Sequence, residues 1–149
     1  MGDRVPLPVL RKLTARDGHE CAMTGTDTDR LVPQHRRGGM GGRANKHRLS
    51  NLVWLDSIAN GLIESDRALQ SVAKAWGVKI SIHAATEDIP VFFPHRHAWF
   101  RLVGDTRIPI TALEALDRMH AFYGDEYFVW KAAADRSVHE VALAARGVR

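Results

Sequence analysis

The sequence predicts an α+β domain, on three observations. Short apolar runs rich in Val, Ile, Leu and aromatic residues stand between turn signals, as strands do. Two longer stretches, around residues 58–76 and 111–146, repeat apolar residues at helical spacing. The chain has 149 residues, 45% hydrophobic and 26% charged, which suffices for one buried core of ordinary composition. A single cysteine, Cys21, leaves no internal disulfide framework and fits a reducing compartment, so a cytoplasmic location is expected. No apolar run approaches a membrane span, and the opening MGDRVPLPVLRKLTARDG lacks the apolar centre of a signal peptide.

Taken in order, Leu7, Leu10 and Leu13 recur three apart and predict a short helix over 7–16, ended by Asp17-Gly18. Leu31-Val32-Pro33 is an extended run leading into His35. Gly38-Gly39-Met40-Gly41-Gly42 cannot be regular structure and predicts a loop passing close to something. Asn51–Leu55 (NLVWL) reads as a strand. Ser57 is the expected N-cap of a helix carrying Ile58, Leu62, Ile63, Leu69, Val72, Ala73 and Trp76 on one pattern, with Gly77 at its stop. Residues 78–83 (VKISIH) alternate and predict a strand, followed by strands at PVFF and AWFRLV around the PHRH turn. Helices over 111–122 and 125–146 close the chain, the last with Phe128, Ala132, Val138, Val141 and Ala145 near one face. The organisation expected is a core over 1–77 with an extension, 78–149, packed on it.

Net charge is +4, a weak sign of a polyanionic partner until its distribution is considered. No acidic residue lies between Asp29 and Asp56, whereas Arg30, Arg36, Arg37, Arg43, Lys46 and Arg48 all do. Such a stretch is the footprint of phosphate contact, or else a solvated basic loop.

His35, Asn51 and Asn60 stand where a strand end, a strand start and a first helical turn can converge. Phosphodiester hydrolysis needs a base for water and a cation for the developing charge. A neutral imidazole suits the first task, and a helix-borne amide can help hold a divalent ion. Each residue also has an ordinary reading: His35 as a surface or core histidine, Asn51 as a turn residue, Asn60 as a first-turn residue.

QHRRGGMGG, then SNLVWL, then ANGLIESDR, preceded by RDGHECAMTG, resembles the HNH endonucleases, whose fold is the ββα-metal core. The resemblance covers residues 16–77, about two-fifths of the chain. It implies a metal-dependent DNA endonuclease or nickase. His35 would be the general base, Asn51 the residue bracing the loop, and Asn60 a ligand to Mg²⁺ or Mn²⁺. Arg36, Arg37 and Arg43, with Lys46 and Arg48, would engage duplex DNA, with salt-sensitive and only modestly sequence-specific binding.

The chain departs from the family at two places. Gln34 stands where the family has a charged metal ligand, and amide oxygens bind divalent ions weakly. Glu64, four residues after Asn60 on the same helix face, Asp56 or His47 could supply the missing charge. The four knuckle cysteine positions hold Cys21, Thr24, Asp56 and Ala59, so a structural zinc is not expected and packing by Met23, Leu31, Trp54 and Leu62 must hold the core. These departures support a rival reading: a degenerate HNH-type module that binds DNA or protein without cutting, such as a phage regulatory or host-takeover protein. Residues 111–149 are the expected surface for self-association or a protein partner.

Overall fold

Pro8 opens α1 (Leu7–Asp17), in the first turn where a missing N–H breaks no helical bond. The helix stops at Gly18, whose φ of 78° suits glycine and whose N–H donates to Thr14 O. Leu13 is fully buried but Leu7 is exposed, so the expected three-leucine face is narrower than its spacing implies. The computed structural model describes residues 4–38 and 46–145, with side chains to residue 136.

β1 (Leu31–His35) pairs antiparallel with β2 (Leu52–Asp56), in a register running from Leu31 opposite Asp56 to His35 opposite Leu52. Every residue of β2 is buried because both of its faces are covered. Leu52 and Trp54 pack with Val5, Leu13 and Leu49 beneath α1, while Val53 and Leu55 enter the main core. The side-chain alternation of a strand thus joins two apolar clusters.

α2 (Ser57–Ser65) follows β2 directly, and α3 (Arg67–Ala75) follows α2. Two expectations are corrected here. The N-cap of α2 is Asp56, which accepts from Ile58 N at 2.9 Å, and Ser57 is the first helical residue. The single helix expected over 58–76 is two, because Asp66 leaves the helical conformation and caps α3 by accepting from Ala68 N and Leu69 N.

Residues 78–83 do not form the expected strand. Ile80 makes one isolated bridge to Arg37, and the rest of 78–90 is turns. β3 (Val91–Phe93), β4 (Ala98–Val103) and β5 (Thr106–Ile110) then form an antiparallel meander in that order. β5 was not anticipated; its Pro109 is tolerated because β5 is an edge strand.

α4 (Ala112–Tyr123) and α5 (Glu126–Ala145) complete the chain. Among the described side chains of α5, Tyr127, Trp130 and Ala134 are buried; Phe128 and Ala132 of the expected face are exposed, and Val138, Val141 and Ala145 lie outside the described side chains. One core runs from Cys21 to Ala134 and includes Met23, Leu55, Ile63, Trp76 and Met119. The architecture is therefore α+β, with helices around two small antiparallel sheets. Among the described residues no helix is long and apolar enough to cross a membrane.

Candidate functional site

Beside the β1–β2 hairpin, β1, α2 and residues 78–79 line a cleft of about 80 Å³. Gln34 and His35 come from the last residues of β1, and Asn60 and Glu64 from successive turns of α2. The cap at Asp56 starts α2 immediately after β2, which places those turns against the hairpin. Four side chains chosen from sequence therefore line one cleft. A fifth, Lys79, was not anticipated: its Nζ lies 3.7 Å from Glu64 Oε1. No sequence signal marked Lys79, since the segment carrying it read as a strand.

His35 Nε2 lies 3.0 Å from Nδ1 of His47, with the two rings 26° from parallel and their centroids 5.1 Å apart. His47 is thus placed on the candidate base and is not among the residues lining the Gln34–Asn60 cleft. It borders a second cleft, of about 300 Å³, with Lys12, Arg48, Leu49, Glu87 and Asp105.

Asn51 is buried and ties down both chain ends flanking residues 38–45. Its Oδ1 accepts from Arg37 N at 2.8 Å and its Nδ2 donates to Lys46 O at 2.9 Å. Backbone bonds place it there: Asn51 N donates to Arg48 O, and Arg36 N donates to Asn51 O.

The basic residues divide. Arg36, expected to contact DNA, is wholly buried and cannot. Its guanidinium donates to the carbonyls of Gly77, Ser50, Thr86 and Ile89, at 2.7, 2.8, 2.8 and 2.6 Å. Burial, then the nearby Arg16 charge, push its pKa down to about 9, which still leaves it protonated at neutral pH. Lys46 is 8% exposed, so it too is inside and not on a DNA-facing surface. Arg37 is half-buried and donates to Ala84 O at 2.8 Å. Arg48 is exposed. Arg43 and most of the glycine loop lie outside the described residues.

Asp56 lies at the far end of the hairpin from His35 and is engaged there. It accepts from Arg30 Nη2 at 3.0 Å, from Thr28 Oγ1 at 3.0 Å and from Ile58 N. Burial raises its pKa, but these bonds, Arg30 foremost, outweigh burial and hold the carboxyl below its ordinary value. Cys21, also at a knuckle position, is fully buried, and the turn carrying it is tied to β2 by Ala22 N donating to Trp54 O.

The oxygen donors of the cleft are one carboxylate, Glu64, and the amides of Gln34 and Asn60. Among the described residues no three His, Cys, Asp or Glu side chains gather to hold an ion. One carboxylate and two amide oxygens suit a hard cation that keeps most of its waters, as Mg²⁺ does, and do not suit zinc. A larger cavity, about 380 Å³, lies apart between α3, α4, α5 and the meander. Its walls are Trp76, Phe92, Trp99 and Leu116, and its charged pair, Lys131–Asp135, is a surface contact one turn apart on α5.

No protein-family model, curated protein or solved structure matches this chain.

Proposed function

We propose that the chain is a metal-dependent DNA endonuclease or nickase of the HNH type. The observation that carries this reading is the convergence of His35, Gln34, Asn60 and Glu64 on one cleft, with Asn51 bonded to the backbone of Arg37 and Lys46. They come from two elements, β1 and α2. The sequence resemblance implies roles for His35 and Asn60, Gln34 stands where the family has a charged ligand, and Glu64 is added for its charge.

In this reading His35 takes the proton of the attacking water as general base. Asn51 holds the backbone at Arg37 and Lys46, and so the geometry of the loop that follows His35. Arg48, with Arg43 of the glycine loop, engages the phosphate backbone of the duplex. Glu64, with Asn60 and Gln34, would hold a divalent cation, Mg²⁺ or Mn²⁺. When bound, that ion supplies positive charge at the scissile phosphate.

A second reading has support of its own. Gln34 and Asn60 are neutral, and among the described residues no group of three stronger ligands stands in their place. A module that binds duplex DNA or a protein without cutting, such as a phage regulatory or host-takeover protein, fits those facts. Exposed Leu113, Phe122, Phe128 and Val129 on α4 and α5 are where a second copy or a protein partner would dock.

Supercoiled plasmid incubated with the protein in Mg²⁺, Mn²⁺, Ni²⁺ or Zn²⁺ separates the readings. The nuclease reading predicts nicked or linear product in Mg²⁺ or Mn²⁺. Salt-sensitive duplex binding with intact plasmid in all four metals would overturn it in favour of the second.

A further inference from the structure

We propose that Lys79 is a phosphate-binding residue of the His35 cleft, held by Glu64 in the ion-free protein and released to the strand when a divalent cation takes that carboxylate. The cation and the strand rest on the nuclease reading; the placement of Lys79 rests on the fold.

The chain around Lys79 is fixed on both sides. Val78 and Ile80 are buried. Val78 N and Lys79 N donate to Ala73 O at 2.9 and 3.2 Å, and Ile80 N donates to Arg36 O at 3.0 Å. With both neighbours turned inward, the Lys79 side chain stands on the open side and lines the cleft with Gln34, His35, Asn60 and Glu64. Arg36 directly follows His35, so the Ile80 bond sets this segment alongside the end of β1 that carries the candidate base.

Among the described residues lining the cleft, the fixed charges are Arg36, Glu64 and Lys79. Arg36 is buried and committed to four backbone carbonyls. Glu64 and Lys79 remain, opposed at 3.7 Å. While they face each other their charges cancel, and the pair selects no anion. The contact is longer than a hydrogen bond and both side chains are substantially exposed, so it is weak and can exchange.

Occupation of Glu64 by a cation cancels the carboxylate charge that holds Lys79 and sets a like charge beside the ammonium. The ammonium is a compact charge on a flexible four-carbon stem, and it then turns to the anion that enters the cleft. In the nuclease reading that anion is a phosphate of the strand brought to His35. Lys79 therefore contributes to strand binding only once the ion is in place.

Duplex affinity, read by fluorescence anisotropy on the full-length protein in EDTA, isolates the exchange from cleavage. Wild type, Glu64→Gln, Lys79→Ala and the double variant are compared, each shown by thermal unfolding to be folded. Lys79→Ala alone should change affinity little, because Glu64 holds the lysine. Glu64→Gln frees it and should tighten binding by about two- to fivefold, with the salt dependence steepened by about one phosphate contact. The double variant should lose that gain, and Lys79→Arg combined with Glu64→Gln should keep it. At saturating Mn²⁺, in a His35→Ala background that leaves the strand intact, Lys79→Ala should cost about two- to fivefold in affinity. No gain in Glu64→Gln overturns the proposal. So does an equal gain in the double variant, which would mean that losing a repelling carboxylate is enough. An equal cost of Lys79→Ala with and without Mn²⁺ also overturns it. Plasmid cut by wild type without a Lys79-dependent gain sinks the exchange and leaves the nuclease reading standing. A Lys79-dependent gain with plasmid intact in every metal does the reverse.

Discussion

Arg36 Nη2 donates to the Ile89 carbonyl at 2.6 Å, joining residues 53 apart in the chain. With the bonds to Gly77, Ser50 and Thr86, this guanidinium is the point around which residues 77–89 wrap. The same segment carries Lys79 to the cleft, so a buried charge organises one wall of the candidate site. Its bonds are charge-assisted and their planar fork matches several carbonyls at once, which an ammonium cannot reproduce.

Arg36→Met should therefore lose about 3 kcal/mol or more of stability, since four buried carbonyls lose their donor. Arg36→Lys should recover only part of it. Urea unfolding measures both, and a loss under about 1 kcal/mol would mean that the carbonyls find other donors.

Asn51→Ala removes two buried hydrogen bonds and should lower stability by about 2 kcal/mol. Plasmid cleavage should fall further than duplex affinity, because the bonds hold the ends of the loop and not the DNA. Asn51→Asp keeps the acceptor for Arg37 N but loses the donor to Lys46 O, and should fall between the two. Equal losses of cleavage and affinity would count against a bracing role.

Asp56 supplies a pH dependence whose sign follows from its depressed pKa. The folded state holds the carboxylate ionised more firmly than the unfolded chain does. Its contribution is therefore fully present above the unfolded value, about 3.9, and is lost as pH falls through the lower folded value. Thermal unfolding followed from pH 6 down to pH 2 should show a steeper loss of Tm in wild type than in Asp56→Asn. Parallel curves would remove Asp56 from the acid response.

Much of this fold is legible in the sequence because local signals and burial agree. Apolar spacing marks α1, α4 and α5, and the compact NLVWL run marks β2. The break at Asp66 is hidden because the apolar pattern continues from Ile63 to Leu69 and Val72 across it, although Ser65-Asp66 is itself a capping signal. VKISIH alternates as a strand would, yet Ile80 N donates to Arg36 O and Ser81 N to the Tyr123 hydroxyl, so among the described residues the segment makes one isolated bridge and no ladder. β5 is concealed by Pro109 and by its mostly exposed residues. Within the site, the spacing of His35, Asn51 and Asn60 carries information because a hairpin and helix turn spacing directly into position. Arg36 does not stand out from Arg37, since a run of basic residues says nothing about which of them turns inward.

The Glu64–Lys79 contact predicts opposite effects of two substitutions on ion binding. Both side chains are substantially exposed, so the pair is worth at most about 1 kcal/mol, and Lys79→Ala should tighten Mn²⁺ binding by about two- to fivefold. Glu64→Gln removes the one carboxylate of the cleft and should weaken binding by about tenfold or more. Calorimetric titration with Mn²⁺ reads both without requiring activity. Unchanged affinity in Glu64→Gln would place the ion elsewhere.

The proposed role of His35 is that of the base in a nuclease cleft. Its most direct test is the initial rate of plasmid nicking in Mg²⁺ and Mn²⁺ for wild type and His35→Ala, on protein shown by thermal unfolding to be folded. The predicted result is a loss of about 10²–10⁴-fold with duplex affinity unchanged. Equal rates in the two proteins, or plasmid left equally intact by both, would contradict it.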